Sequence, residues 1–179
     1  MRIKARMGMS LDGYVATTDG TPSLIKAEGF VSGRSHGYPE FIDGCDTVVM
    51  GRQTFLPAVG APQWPWGDMQ VFVLTSRPLP AGTPAGVVAS AGGPAGLIQQ
   101  LRSRGSGGDV HLVGGPQAIQ AFHQEGALDS LEVVVLPVML GDGVRLWPRG
   151  VPLPSLALHG EPRVFPDGAI ELRYKAGSG

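Results

Sequence analysis

The sequence predicts an α/β fold built on a mixed, mostly parallel sheet with helices on both faces. Short apolar runs rich in β-branched residues alternate with segments of helical spacing, as in the stretch from Val110 to Phe122. The 28 glycines and 16 prolines are spread along the chain, which indicates many turns and short elements. Apolar and charged residues alternate from Ile170 to Lys175, which predicts an antiparallel hairpin at the C-terminus.

Composition excludes several classes of protein. The 179 residues, 42% of them hydrophobic, suit one domain over residues 1–179 with a substantial core. A formal net charge of −1 provides no attraction for nucleic acid or an anionic membrane, so neither is an expected partner. Cys45 is the single cysteine, so no intrachain disulfide forms and the reducing cytoplasm is the expected location. The longest apolar run, Val133–Leu140, is too short to cross a bilayer, and no secretory signal follows the basic N-terminus.

Strands in the first half of the chain are predicted from alternation or from short apolar runs, at residues 3–9, 47–50, 71–74 and 87–89. Turn residues and a long aperiodic stretch, from about Gly20 to Gly37, predict a loop after the first strand. Helices are predicted at 39–42, at 52–57 and from Gly93 to Gly105. The proline-rich segment 60–67 predicts a loop whose Trp64 and Trp66 either line a ligand pocket or anchor the loop to the core.

The second half begins with the segment around which the chain is organised. Its strand 110–113 runs into Gly114 and Gly115, and a helix follows with Pro116 in its first turn and Gly126 at its end. A further strand is predicted at 131–137, followed by a glycine-rich loop over 138–147. The hairpin pairs 156–165 with 170–175 across a Pro-Asp-Gly turn.

Arginines accompanied by hydroxyl side chains follow two of the predicted parallel strands. Arg52 is followed by Thr54, and Arg77 is preceded by Thr75 and Ser76. A guanidinium with neighbouring hydroxyls suits a phosphomonoester, through bidentate charge-assisted hydrogen bonds. The alternative for each arginine is a solvated surface charge.

The glycine pair and the helix that follows it suit a second phosphate group. Free N–H groups at a helix N-terminus attract anions, and the glycines allow close approach of the backbone. The alternative is a βα turn with no ligand. Because the carboxyl ends of parallel strands meet at one edge of a sheet, the sequence predicts two phosphate subsites there, and hence a dinucleotide with an additional phosphate.

Other chemistries have little support in the sequence. The four histidines and Cys45 show no ligand spacing, so no metal site is expected. Gly33–Gly37 reads Gly-x-Ser-x-Gly but lies in the predicted loop rather than at the strand-to-helix turn of a hydrolase elbow, and neither a P-loop nor a Gly-x-Gly-x-x-Gly motif occurs, which disfavours hydrolase, P-loop and standard Rossmann functions.

Five motifs occur in the order and spacing of the dihydrofolate-reductase-like fold, and they cover nearly the whole chain. They are Met9–Ala16, Val49–Phe55, Leu74–Pro78, Leu112–Gly115 and Leu136–Gly143. The chain most resembles the reductase domain of the bacterial bifunctional riboflavin-biosynthesis deaminase–reductase and its stand-alone relatives. This resemblance implies a three-layer sandwich, a homodimer, and an NADPH-dependent reductase.

The resemblance also implies roles for individual residues. Asp12 and the loop 137–143 would face the substrate, and Val15 and Ala16 would lie near the nicotinamide. Residues on the side of the adenosine 2′-phosphate would be Gly51, Arg52, Thr54, Thr75, Ser76 and Arg77. Those holding the pyrophosphate would be Gly114, Gly115, Pro116, Gln117 and Ala118.

Departures from the family pattern bear on the substrate. Dihydrofolate reductases carry a pterin-binding carboxylate on the first helix, but Glu40 falls at the wrong offset, so folate is not expected. No zinc-deaminase pattern is present. Lys26, Arg34 and Arg145 are the candidates for binding a substrate phosphate.

Three hypotheses follow. The first is a reductase moving hydride from NADPH to a small pterin- or pyrimidine-like heterocycle, with Asp12 orienting the substrate or relaying a proton. For Asp12 the alternative is an aspartate that only caps its turn. The second hypothesis is a non-catalytic protein that binds NADP(H) or sequesters a small molecule. The third, with least support, is a flavin-binding module.

Overall fold

The computed structural model describes residues 1–105, 107–150 and 155–177, which form two compact units. The first unit comprises Met1–Ala5 and Gly44–Asp129, and the second comprises Arg6–Asp43 and residues 130–177. The single domain expected over residues 1–179 stays a prediction.

Strands and helices alternate through most of the chain. The strands are β1 (Ile3–Ser10), β2 (Tyr14–Ala16), β3 (Cys45–Gly51), β4 (Gln70–Leu74), β5 (Val87–Ser90), β6 (Asp109–Gly114), β7 (Ser130–Leu136), β8 (Val144–Arg145), β9 (Leu156–Leu158), β10 (Arg163–Val164) and β11 (Ile170–Ala176). The α-helices are α1 (Tyr38–Ile42), α2 (Arg52–Val59), α3 (Gly93–Ser103) and α4 (Pro116–Gln124). A 3₁₀ turn at Ser23–Lys26 interrupts the predicted long loop.

The first unit contains a parallel sheet. Its strand order is β1–β6–β3–β4–β5, in which β1 contributes its residues up to Ala5. All four neighbouring pairs are parallel, as predicted. The register pairs Gly51 with Leu74 and Met50 with Gly114, so the carboxyl ends of β3, β4 and β6 lie side by side.

A hydrophobic cluster between this sheet and α2 forms part of the core of the first unit. Its fully buried members come from β3, β4, α2 and the loop after α2; they are Val48, Met50, Phe55, Trp66, Val71 and Val73. Trp64 packs against the cluster, with its ring centroid 4.9 Å from that of Trp66 and 6.3 Å from that of Phe55. Of the two alternatives for these tryptophans, the structure shows the anchor.

The second unit contains antiparallel strands. β11 pairs with β7 along its length, and on its other side it pairs with β9 and β10. The C-terminal hairpin is confirmed, but the predicted strand 156–165 is two short strands separated by residues 159–162. The combination of parallel and antiparallel strands confirms the mixed sheet and the α/β class.

A separate two-stranded sheet of β2 and β8 corrects one prediction. Tyr14 pairs with Arg145 and Ala16 with Val144, so the predicted loop 138–147 contains a strand, and β2 lies in a segment to which the sequence assigned no element. Strands of two or three residues are too short to show alternation, and these form because each supplies the hydrogen-bonding partner of the other.

A buried ionic network crosses the second unit. Arg6 donates to Glu171 at 3.0 Å and also bonds Glu132 and the carbonyl of His36. Glu171 accepts a second bond from Nε of Arg173 at 2.6 Å. The side chains of Arg6 and Glu171 are only 5% and 1% exposed, so water solvates neither charge. The ion pair between them replaces part of that lost solvation.

Gly8 allows β1 to approach the 3₁₀ turn closely. A β-carbon at position 8 would collide with the side chain of Leu24. We expect Gly8→Ala to destabilise the protein by about 1–3 kcal/mol through overpacking, measured by urea unfolding. Adding the same substitution to a Leu24→Ala variant should cost less, because the colliding atoms are gone; equal losses in both backgrounds would contradict this explanation.

Candidate functional site

The carboxyl ends of β3, β4 and β6 form an edge of the first unit that we call the phosphate edge. It consists of residues 51–54, 75–78 and 114–118. Helices α2 and α4 both begin there, immediately after β3 and β6. Neither helix N-terminus is capped by a side chain, and neither first turn contains an acidic residue. Both helix ends therefore keep the positive potential that attracts an anion.

Arg52 and Arg77 both lie on the phosphate edge. Arg52 is the first residue of α2, and its Nη1 donates to the carbonyl of Pro78 at 2.9 Å. This bond spans from α2 to the segment after β4 and holds the guanidinium at the edge. The segment itself is ordered by Thr75, whose hydroxyl accepts from the backbone N–H of Arg77 at 3.1 Å. Ser76 and Arg77 are exposed.

The glycine pair lies beside these residues. The carbonyl of Gly114 is 3.9 Å from where a β-carbon on Gly51 would be, and Thr54 Oγ1 is 3.7 Å from the corresponding position on Gly115. Gly115 caps α4, Pro116 is in the first turn, and the N–H of Ala118 is bonded to the Gly115 carbonyl. The Gly114–Gly115 peptide bond is cis. Gly51 and Thr54 of one predicted phosphate subsite therefore lie next to Gly114 and Gly115 of the other. Because Gly51 and Gly115 have no side chain, nothing at these two positions fills the space between them.

Asp12 lies in the second unit, in the turn between β1 and β2. Its carboxylate accepts from the hydroxyl of Ser10 at 2.6 Å and from the N–H groups of Gly141 and Leu140 at 2.7 and 3.2 Å. The Ser10 hydroxyl, the largest cause, and the two amides lower the pKa of Asp12 to about 2 against the opposing effect of desolvation. Asp12 is therefore ionised at neutral pH.

Val15 and Ala16 are buried in β2 of the second unit. The carbonyl of Ala16 occupies the position that a β-carbon on Gly143 would need, and Gly143 has a φ of +149°, so only glycine fits there without strain. This close approach could not be predicted from the sequence, because a glycine-rich loop alone does not show what it packs against.

The three candidate cations for a substrate phosphate have different environments. Arg145 lies with its Cζ 4.9 Å from the ring centroid of Tyr14 and donates to the Tyr14 hydroxyl at 3.2 Å. Lys26 ends the 3₁₀ turn, and Arg34 is exposed in the loop before α1. Glu40, which departs from the pterin-binding pattern, is exposed on α1 and pairs with Arg163 at 3.5 Å.

The described residues contain neither a metal-binding group of side chains nor a membrane-spanning helix. No group of three or more His, Cys, Asp or Glu residues within 1–105, 107–150 and 155–177 is arranged to hold a metal ion. In the same residues, no helix has the length and apolar character needed to span a membrane.

Comparison with protein families gives one match over most of the chain: the model of the RibD C-terminal domain matches residues 2–161. The uncharacterised protein YwjB of Bacillus subtilis (strain 168) is 28% identical over 169 residues, covering 94% of each chain. Both similarities extend across the two units.

Solved structures show the same fold. A putative riboflavin biosynthesis protein from Shewanella sp. PV-4 superposes with a TM-score of 0.82 at 24% identity, over 99% of both chains. A diaminohydroxyphosphoribosylaminopyrimidine deaminase/5-amino-6-(5-phosphoribosylamino)uracil reductase from Thermotoga maritima gives 0.69 at 15% identity, over 98% of this chain and 56% of that one. Dihydrofolate reductase from Enterococcus faecalis, complexed with NADP(H), gives 0.60 at 16% identity, covering 98% and 96% of the two chains. The predicted dihydrofolate-reductase-like fold is confirmed.

Proposed function

The chain belongs to the RibD C-terminal domain family, and from this premise we propose that it is an NADPH-dependent reductase. Its proposed acceptor is a small pyrimidine- or pterin-like heterocycle. The structural relatives support the reaction class, since one is described as a uracil-derivative reductase and another as a dihydrofolate reductase complexed with NADP(H).

The observation that carries the proposal is the phosphate edge. Two cations, a glycine pair and two helix N-termini without a side-chain cap meet at the ends of three adjacent strands. Anionic groups of a dinucleotide find there both charge and backbone donors, and NADPH carries the additional phosphate that two arginines suit.

In the proposed mechanism the chain binds and orients rather than forming covalent bonds. Arg52 and Arg77 bind the 2′-phosphate, and Gly115 and the first turn of α4 bind the pyrophosphate through backbone N–H groups. By the family resemblance, Val15 and Ala16 would lie near the nicotinamide. The nicotinamide supplies the hydride when bound, and the contribution of the protein is the fixed placement of donor and acceptor.

The test is cofactor oxidation in the presence of a series of pterins, flavins and pyrimidines. We expect loss of NADPH absorbance, coupled to stoichiometric reduction of at least one acceptor, and much slower loss of NADH absorbance. Tight NADPH binding with no turnover of any acceptor would instead support the non-catalytic binding protein. A yellow purified protein that oxidises neither cofactor would support the flavin-binding module.

We also propose that the protein acts in the cytoplasm, as its single cysteine indicates, and that it forms a homodimer, as the resemblance implies. Sedimentation equilibrium measures the oligomeric state. We expect a single species with twice the mass of the chain, which is 18.7 kDa.

A further inference from the structure

We propose that Asp12 is a positioning residue whose charged carboxylate clamps the loop 138–143 to the turn between β1 and β2, and that efficient hydride transfer depends on this clamp. The inference rests on the proposed reductase function and specifies the role of Asp12 within it. The sequence leaves two roles open for Asp12, orienting the substrate and relaying a proton. The clamp gives it only the first of these roles.

The contacts of Asp12 cross from one segment of the second unit to another. Its carboxylate accepts from Gly141 and Leu140, which are more than a hundred residues away in the chain, and from Ser10 in its own turn. The Ser10 hydroxyl accepts in turn from the N–H of Tyr14 at 3.0 Å. The chain of bonds therefore runs from the first residue of β2 through Ser10 and Asp12 to the loop.

Backbone bonds connect the same two segments on either side of Asp12. Leu11 donates to the carbonyl of Val138 at 2.9 Å, and Leu146 donates to that of Gly13 at 3.2 Å. Between them, the tip of the loop at residues 140–141 is bonded to the turn through the Asp12 carboxylate. Removing that carboxylate frees the tip while leaving the two ends attached.

The position of the loop tip matters because of what adjoins it. Leu11 and Met139, each next in sequence to a clamped residue, are 66% and 68% exposed. Large apolar side chains held open to solvent are suited to contact the flat face of a heterocycle, and the same loop reaches β2 at its end, where Gly143 lies against the carbonyl of Ala16. Val15 and Ala16 of β2 are proposed to lie near the nicotinamide. A displaced loop tip would therefore change the position of the acceptor relative to the nicotinamide without releasing the cofactor.

The donors around Asp12 also disfavour a role as a proton donor. A hydroxyl and two amides all direct hydrogen atoms at the carboxylate, which favours its charged form. A general acid needs a pKa near the working pH, and the pKa of about 2 leaves Asp12 without a proton to give. The proton that accompanies the hydride therefore comes from another source, such as solvent.

The test compares Asp12→Asn and Asp12→Ala with a matched control, Asp19→Asn. Asp19 lies in the next turn of the second unit, and its carboxylate accepts bonds from residues of its own turn, among them the Thr17 hydroxyl and the N–H of Thr21 at 3.1 Å. Hydrogen–deuterium exchange of residues 138–143 measures the clamp in the free protein, without any ligand. Steady-state kinetics with NADPH and menadione, used as a probe acceptor, measure its consequence.

We expect exchange at the loop tip to accelerate in the order wild type, Asp12→Asn, Asp12→Ala, because asparagine keeps one acceptor oxygen and alanine keeps none. We expect kcat to fall in the same order, by about 10-fold and about 100-fold, with the KM for NADPH changing less than about 3-fold. Asp19→Asn should leave loop exchange and kcat unchanged. The shape of the pH–rate profile should be the same in all variants that turn over.

Faster exchange with unchanged kcat would overturn the positioning role while leaving the reductase function intact. Loss of a limb of the pH–rate profile in Asp12→Asn would overturn it in favour of proton transfer. Unchanged exchange in Asp12→Ala would show that no clamp exists. A wild-type protein that reduces neither menadione nor any heterocycle fails the reductase proposal itself, and with it the dependence of turnover on the clamp.

Discussion

Replacing Glu171 by glutamine is expected to lower the free energy of unfolding by about 3–5 kcal/mol, the loss typical of removing one member of a buried ion pair. The Glu171 side chain is 1% exposed and accepts from both Arg6 and Arg173. Glutamine has one acceptor oxygen and no charge. Arg6, itself only 5% exposed, would therefore lose part of the negative charge that balances its guanidinium in the protein interior. Urea unfolding monitored by circular dichroism measures the change.

Glu40→Gln is the control for this prediction. Glu40 pairs with Arg163 at 3.5 Å, but the two side chains are 63% and 46% exposed. Solvent screens such a pair, so its loss should change stability far less than the loss of Glu171. If Glu171→Gln is as mild as Glu40→Gln, then the second unit does not depend on its buried charges.

Truncating Arg52 or Arg77 to alanine is expected to weaken NADPH binding by about 1.5–3 kcal/mol, the value of a hydrogen bond to a charged group. Arg52 is held at the phosphate edge by its bond to the Pro78 carbonyl, which leaves the rest of its guanidinium for the ligand. NADH lacks the 2′-phosphate, so its affinity should fall much less. Isothermal titration calorimetry with each cofactor gives the two losses directly.

Arg102→Ala is the matched control for these arginines. Arg102 lies on α3 and lines a cavity with Asp46 and Thr47, at the opposite end of β3 from Gly51. The affinities for NADPH and for NADH should both be unchanged in Arg102→Ala. Equal losses of NADPH and NADH affinity in Arg52→Ala would show that this arginine does not recognise the 2′-phosphate.

The strands of the parallel sheet could be predicted from sequence because each shows either alternation of apolar and charged residues, as β1 does, or a short apolar run. The convergence of Arg52, Arg77 and the glycine pair also followed from sequence, since parallel strands bring their carboxyl ends to one edge. Helix α2 was predicted to end at Pro57 but runs to Val59. Proline removes only one helical hydrogen bond there, and two more residues complete the turn.

Features that depend on pairing between distant segments were not predictable. The network around Arg6 needs the register of β11 against β7, which sets Arg173 opposite Glu132 and places Glu171 beside both. The bonds of Asp12 to residues 140 and 141 depend in the same way on where a loop folds back. Single residues in a sequence carry no information about such partners, so charge and turn propensity alone left the role of Asp12 open.

The packing of Trp64 and Trp66 within the first unit gives the protein two built-in optical reporters. The third tryptophan, Trp147, belongs to the second unit. Exciting indole fluorescence in a Trp147→Phe variant would therefore follow the melting of the first unit alone. A variant with both Trp64→Phe and Trp66→Phe would follow the unfolding of the second unit. The two emission traces together show whether both units unfold in a single cooperative transition.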